Sequence, residues 1–256
     1  MIAHLLFWSW YSVGAVLLIF FRVPDALKFS NGLFLVFYGL YALYLLSKGS
    51  ADAGLNRETA ARKRVSLALA AAGIWLGGMA VEWLGVHTGW PFGIYEYTDL
   101  LGVPVFGVPV TMGFAWMAVV CSGALLGKYD PGVQGRLRRA LATGCWTVLL
   151  DLCLDPVAFE RKFWFWQSSG GFYGVPVNNY FSWFVIGGVL SVLLPDLSFD
   201  RKTARQGTFL YQMILLLFGI LALKAGLTGS FAAALLGIIM AEGSLRYVNR
   251  NQVQTV

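Results

Sequence analysis

Histidine and cysteine, which build many metal and redox sites, are scarce in this sequence. Its two histidines, His4 and His87, cannot assemble the multi-histidine clusters of membrane di-iron hydroxylases and desaturases. Its three cysteines form no Cys-x-x-Cys pair and lie in apolar stretches, where a thiol packs as a small apolar group. A glycine-rich phosphate loop, a His-Glu-x-x-His motif and a nucleophilic serine elbow are also missing. We therefore expect neither a metal nor a cofactor.

Charge is also scarce, since 12% of residues are charged while 58% are hydrophobic and the mean hydropathy is +0.67. A water-soluble domain of 256 residues could not bury that much apolar surface. We predict one all-α integral membrane domain over residues 1–256, because each apolar run is close to the roughly 20 residues that cross a bilayer as a helix. The eight predicted transmembrane helices cover approximately 2–21, 31–47, 65–86, 104–126, 140–158, 176–195, 208–223 and 227–245.

The net charge of +6 follows a membrane topology. With eight spans, 14 of the 19 basic residues fall on the side that holds both termini, and Arg22, Lys28, Arg161, Lys162 and Lys224 fall on the other. Such asymmetry follows the positive-inside rule, so we predict a multi-pass protein of the cell membrane with cytoplasmic N- and C-termini. Because topology accounts for the basic charge, we do not expect nucleic acid as a partner.

Four acids stand inside predicted spans. Glu242, near the end of span 8, is one helical turn from Arg246 and is expected to pair with it, and two of the other three share one helix face. Asp151 and Asp155 are four residues apart in span 5, and Glu82 occupies a similar depth in span 3. An Asp at a helix centre costs roughly 2.5–3.5 kcal/mol on insertion, so intramembrane acids are candidates for function, here general acid catalysis. In the structural alternative, Asp155 caps the helix before Pro156 and Asp151 pairs with a buried donor.

Two segments of the middle region resemble each other. Residues 106–116 and 173–183 align at a constant offset of 67, each with a Gly-Val-Pro and a later tryptophan, Trp116 or Trp183. Each proline, Pro109 or Pro176, is predicted at a helix start. Spans 3–4 and 5–6 could therefore form a parallel repeat of helix hairpins around a shared site, although chance similarity is the alternative.

Two other interpretations are weaker. Asp151-x-x-x-Asp155 partly matches the magnesium–diphosphate sites of membrane prenyltransferases, but on that side of the predicted membrane few cations beyond Arg161 and Lys162 could hold a diphosphate. Lys224 could suggest a retinal Schiff base, but it stands at a helix end from which it can reach water.

The region 80–190 carries a combined pattern that resembles a known family. The pattern consists of Glu82, Gly85, Thr88-Gly89-x-Pro91-Phe92-Gly93-x-Tyr95-x-Tyr97, Leu101-Gly102, Gly107-Val-Pro109, Trp116, Asp151-x-x-x-Asp155-Pro156, Trp164-x-Trp166, Gly171-x-Tyr173-Gly-Val-Pro176, Asn179 and Trp183. It is similar to that of the integral-membrane carotenoid biosynthesis proteins, which include γ-carotene 1'-hydroxylase and bisanhydrobacterioruberin hydratase. Three positions depart from the family pattern: Gln167 replaces an acid, Ser182 a glycine and Ile94 a polar residue.

The resemblance implies a carotenoid hydratase that adds water to the terminal 1,2 double bond of an acyclic C40 or C50 isoprenoid, giving a tertiary alcohol without a cofactor. A protonated carboxylic acid would start this reaction, and aromatic faces would stabilise the cation. Asp155 or Glu82 is the expected proton donor, and Asp151 and Asn179 are expected to orient water. The expected substrate-binding residues are Trp90, Phe92, Tyr95, Tyr97, Asp99, Trp164, Trp166, Tyr173, Asn178, Asn179 and Trp183. Other membrane enzymes of carotenoid biosynthesis are possible partners.

Two alternatives stay open. The same protonation could lead to ring closure or to loss of a different proton, which would make the protein a cyclase or an isomerase. A non-catalytic carotenoid-binding or transport protein could use the acids and aromatic residues only to recognise an end group.

Overall fold

The computed structural model describes residues 2–21, 24, 27–49, 57–167, 170–196 and 199–253, so Arg22 of the predicted charge pattern lies outside it. Within these ranges the protein is mostly helical, and the prediction of eight helices is confirmed. The helices are α1 (Ile2–Phe20), α2 (Phe29–Gly49), α3 (Arg57–Thr88), α4 (Thr111–Ala124), α5 (Val133–Glu160), α6 (Val177–Ser191), α7 (Arg201–Lys224) and α8 (Thr228–Val253).

Six of these helices are long and apolar enough to cross a membrane, whereas the sequence predicted eight spans. The exceptions are α4, with 14 residues, and α6, with 15. At 1.5 Å per residue each is about 21–23 Å long, short of a hydrocarbon core of about 30 Å. Every residue of α4 from Ala115 to Ala124 is buried, so this short helix is enclosed by protein.

The connections between helices group at two opposite ends of the molecule. At one end the loop after α3 pairs with the loop after α5, and the backbone N–H of Gly229, after α7, donates to the Tyr173 hydroxyl at 2.8 Å. At the other end Arg136 of α5 pairs with Asp196, which follows α6, at 3.0 Å. We call these the capped end and the basic end. The helices therefore alternate in direction, as a multi-pass membrane protein requires.

Residues 104–109 differ from the prediction, which placed them inside span 4. They form a hairpin of β2 (Pro104–Val105) and β3 (Val108–Pro109), and α4 begins only at Thr111. The turn between the strands uses Gly107 at φ +83°, a conformation that glycine adopts without strain. Pro109 therefore lies in a strand and not at a helix start, whereas Pro176 is the N-cap of α6 as predicted.

A second pair of strands covers the capped end of the bundle. Strand β1 (Tyr95–Tyr97) runs antiparallel to β4 (Trp164–Trp166), with Tyr95 opposite Trp166 and Tyr97 opposite Trp164. Because side chains alternate across a strand, four aromatic rings point one way while Glu96 and Phe165 point outward to exposed positions. We call this unit the cap sheet.

Beneath the cap sheet, α4 and α6 meet through the two tryptophans of the internal similarity. Trp116 and Trp183 stack with ring centroids 4.5 Å apart and planes inclined by 27°. Gly78 of α3 lets Trp116 approach, since a Cβ there would lie 2.6 Å from the indole ring. The segments that precede these tryptophans differ, one being a β-hairpin and the other a capping proline. The parallel repeat stays a prediction.

Candidate active site

Glu82 of α3 is buried under the cap sheet and accepts hydrogen bonds from three neutral donors. The hydroxyls of Tyr95 and Tyr97 donate to Oε2 at 2.5 and 2.6 Å, and Trp116 Nε1 donates to Oε1 at 2.8 Å. With 3% of its surface exposed, Glu82 obtains from these side chains the partners that water would otherwise provide. This arrangement orients a carboxylate and suits its ionised, acceptor-only form.

Asp151 and Asp155 lie on one face of α5 as predicted, and both are buried. Asn179 of α6 bridges them, because its amide nitrogen donates to Asp151 Oδ2 at 2.9 Å and to Asp155 Oδ2 at 2.5 Å. Asp155 Oδ1 accepts a second bond from Trp164 Nε1 at 2.8 Å. Since α5 continues through Pro156 to Glu160, Asp155 does not cap a helix end.

A small pocket beneath the cap sheet joins the carboxyl groups to aromatic rings. It encloses about 250 Å³ of space between atoms, counted to its opening. Its wall consists of Glu82, Phe92, Tyr95, Tyr97, Met112, Asp155, Trp164, Trp166, Asn179 and Trp183. We call it the acid pocket. Asp151 is not part of the wall and reaches it only through Asn179.

The tyrosines of the cap sheet are fixed as hydrogen-bond donors. Burial, together with the neighbouring Glu82 carboxyl group, raises the pKa of Tyr95 and of Tyr97 well above its usual value. Both hydroxyls therefore keep their protons at any physiological pH and continue to donate to Glu82.

The structure thus brings together ten of the predicted site residues, nine in the pocket wall and Asp151 behind it. It leaves four others apart. Trp90 is 67% exposed and Tyr173 37% exposed, and Asp99 and Asn178 are also exposed at the capped end. The hydroxyl of Tyr173 contacts Thr228 and Gly229 at the start of α8. These four side chains are not in the acid pocket.

Two residues that the sequence did not mark as site residues also lie here. Trp116 donates to Glu82, and Met112, one helical turn earlier on α4, contributes to the pocket wall. A signal for Trp116 exists in the sequence, because Trp116 and Trp183 follow a Gly-Val-Pro at the same spacing and Trp183 is a predicted site residue. Met112 gave no signal, since a methionine in an apolar helix ordinarily fills core space.

Two of the three residues that depart from the family pattern, Gln167 and Ser182, make hydrogen bonds with neighbouring segments. Gln167 Nε2 donates to Glu96 Oε1 at 3.0 Å across the exposed face of the cap sheet, where an acid would face a like charge. The Ser182 hydroxyl lies 2.9 Å from the Pro91 carbonyl oxygen and 2.7 Å from that of Asn178. It thereby ties α6 to the loop after α3, which contains the cis peptide bond between Trp90 and Pro91.

Comparisons with known proteins identify the family that this chain matches. Residues 31–243 match the family described as Carotenoid biosynthesis protein. Bisanhydrobacterioruberin hydratase from Haloarcula japonica is 35% identical over 207 residues, which are 76% of this chain and 64% of that protein's length. No solved structure matches the chain. The family match covers most of the sequence, including Glu82, Asp151, Asp155 and the strands of the cap sheet. This chain therefore belongs to the carotenoid biosynthesis protein family.

Proposed function

We propose that this protein is a hydro-lyase that adds water to the terminal 1,2 double bond of an acyclic carotenoid end group. The observation that carries the proposal is the acid pocket, in which two buried carboxyl groups, Glu82 and Asp155, face a space walled by aromatic rings. The name of the 35% identical relative supports the same reaction class. The bilayer would supply the substrate, since a carotenoid is a lipid-soluble polyene.

Asp155 is the better proton donor of the two acids in the wall. Glu82 already accepts three hydrogen bonds, which stabilise its ionised form, whereas Asp155 accepts two and lies beside a third acid, Asp151. The hydrogen-bond donors to these groups are hydroxyl, indole and amide groups, all neutral. Holding three charged carboxylates there would cost several kcal/mol per ion, so at least one acid keeps its proton at rest.

The proposed reaction begins when Asp155 transfers its proton to C2 of the alkene. The π electrons form the new C–H bond and leave a tertiary cation at C1, which the ionised Glu82 and the faces of the aromatic residues stabilise. Water then forms a bond to C1 and loses a proton to a carboxylate of the cluster, and that proton restores Asp155. The sum is one water added per end group, with no redox change.

Asn179 would act as a positioning residue. Its amide holds Asp151 and Asp155 in a fixed relation, and its side chain is 1% exposed. Asp151 Oδ1 has no hydrogen-bond partner among the described side chains and backbone. Because Asp151 does not belong to the pocket wall, it would influence the attacking water indirectly, through the Asn179 amide.

The test is mass spectrometry of pigments from a carotenoid-producing host, with and without this protein, grown in oxygen-18-labelled water. We expect a product heavier by one labelled water per reacted end. A product of unchanged mass with a shifted absorption spectrum would instead identify a cyclase or an isomerase. Pigment that binds to the protein but is recovered unchanged would identify a binding or transport protein.

We further propose that the basic end faces the cytoplasm, with both termini, and that the acid pocket lies near the outer surface. The unequal distribution of Lys and Arg between the two ends supports this orientation. A C-terminal fusion to green fluorescent protein should fluoresce, and a C-terminal fusion to alkaline phosphatase should be inactive. The opposite pair of results would reverse the orientation.

A further inference from the structure

The acid pocket is too small to hold a carotenoid. Ten residues close around it, whereas a C40 polyene is larger than most small-molecule ligands, whose sites enclose roughly 300–1,000 Å³. The cap sheet covers the pocket at the capped end. The remainder of the polyene therefore has to leave the pocket through the bundle.

A larger apolar cavity adjoins the acid pocket. It encloses about 820 Å³ of space between atoms, counted to its open mouth, and is lined by 19 residues of which 16 are apolar. Met112, Trp164 and Trp183 belong to the walls of both spaces. These three side chains are thus the boundary that a substrate end group would cross.

The apolar cavity also adjoins a third space, through residues other than those that it shares with the acid pocket. A groove between α1 and α2 encloses about 440 Å³, and Leu18, Asn31 and Phe34 belong both to the groove and to the apolar cavity. Val13 in the groove is 60% exposed, so the groove opens on the outer surface of α1, which in a membrane faces lipid. Among the described residues of α1, only Phe7 and Tyr11 are buried, so most of this helix lies at the surface of the bundle.

We propose that these three spaces form one apolar path in which the substrate polyene lies. It enters from lipid through the groove between α1 and α2, fills the apolar cavity between α2, α4, α5 and α7, and places its end group in the acid pocket. The inference rests on the proposed hydration for the identity of the end group. Rigid, straight molecules suit such a path, because they lose little conformational entropy when they are enclosed.

Gly14 offers a direct test. It lies in the groove, and a Cβ built there meets no atom within 4 Å, so a side chain can start from this position and Gly14→Phe would place a ring in the groove. Removing glycine from a helix interior also does not weaken the helix. Gly243→Phe is the matched control, since Gly243 of α8 is equally free of neighbours and is not in the path.

Each variant in lipid nanodiscs is given two hydrocarbons with the same end group, lycopene and the C10 compound 2,6-dimethyl-2,6-octadiene. We expect Gly14→Phe to lower lycopene hydration at least about tenfold, equivalent to 1.4 kcal/mol, while the short compound reacts as with wild type. Gly243→Phe should match wild type on both. The path would be overturned if Gly14→Phe hydrated lycopene at the wild-type rate, or if its hydration rate fell equally with both compounds.

Binding separates this inference from the proposed reaction. Lycopene should quench the fluorescence of Trp164 and Trp183, and Gly14→Phe should weaken that quenching at least about tenfold. If wild type binds lycopene in this way but hydrates neither compound, the path stands and the hydratase proposal fails. If lycopene is hydrated while Gly14→Phe leaves its binding unchanged, the path fails and the reaction stands.

Discussion

Replacing Asp155 by Asn removes the proposed proton while keeping the shape of the side chain. In the wild type, Trp164 Nε1 and Asn179 Nδ2 donate to the two different oxygens of Asp155. Asparagine has one oxygen, so one of these buried donors loses its acceptor, at a cost of about 1–3 kcal/mol. That cost is a fraction of the roughly 5–15 kcal/mol by which proteins are stable, so the variant should fold.

The effect on catalysis should be much larger than the effect on stability. A general acid typically contributes about 10²–10⁴ to a rate, which corresponds to roughly 2.7–5.4 kcal/mol of barrier. We therefore expect Asp155→Asn to lower hydration at least about a hundredfold. The measurement is the amount of hydrated pigment by liquid chromatography and mass spectrometry, normalised to protein in the membrane, with elution in detergent as the check on folding.

Asp151→Asn is the matched control. It disturbs the same Asn179 amide, through a bond of 2.9 Å, but Asp151 does not belong to the pocket wall. It should lose activity by about tenfold or less, the effect of one buried hydrogen bond. Activity of a folded Asp155→Asn protein within threefold of wild type would remove Asp155 from the mechanism. Equal losses in the two variants would show that the aspartates act as one unit.

Three further outcomes are expected. Tyr97→Phe removes a 2.6 Å hydrogen bond to Glu82 but keeps the ring, so the rate of hydration should fall about tenfold to a hundredfold. An unchanged rate would show that the hydrogen bonds from Tyr95 and Trp116 are sufficient for Glu82. Gln167→Glu places a like charge beside Glu96 on the exposed face of the cap sheet. It should lower the melting temperature slightly at low salt but not at high salt, because salt screens exposed charges. An equal decrease at both salt concentrations would show that charge repulsion is not the cause. Hydrogen bonds from Thr203 hold the pKa of Asp200, the N-cap of α7, below its usual value. The contribution of Asp200 to the stability of the fold is therefore complete above about pH 4 and is lost as the pH falls further. Asp200→Ala should lower the free energy of unfolding by about 1 kcal/mol at pH 7, and a variant as stable as wild type at that pH would refute the cap.

The sequence predicts the helices well because their signal is local. A run of about 20 apolar residues is recognisable without knowledge of its neighbours, and all eight helices lie close to predicted spans. The aspartates of α5 were placed on one face for the same reason, since a four-residue spacing depends only on helix geometry.

The cap sheet was missed because its strands are short and distant in sequence. Tyr95–Tyr97 and Trp164–Trp166 are three residues each, too short for a strand pattern to be recognised, and they pair across nearly 70 residues. The alternation Tyr-x-Tyr and Trp-x-Trp was nevertheless a signal that both pairs of rings face one way. Sequence alone also cannot separate Tyr97, which faces Glu82, from Trp90, an aromatic residue of the same loop that points outward.

The order of residues along the chain has a consequence for biogenesis. The described side chains that donate to the buried acids all follow them: Tyr95, Tyr97 and Trp116 come after Glu82, and Trp164 and Asn179 come after Asp155. During synthesis, α3 and α5 therefore enter the membrane with acids whose donors have not yet left the ribosome. The insertion machinery must accept each acid at a cost of roughly 2.5–3.5 kcal/mol. For Glu82 that cost is recovered once α4 brings Trp116, and for Asp151 and Asp155 only when α6 brings Asn179. A ribosome-bound chain that ends before Asn179 would hold Asp151 and Asp155 in the bilayer with their partners incomplete.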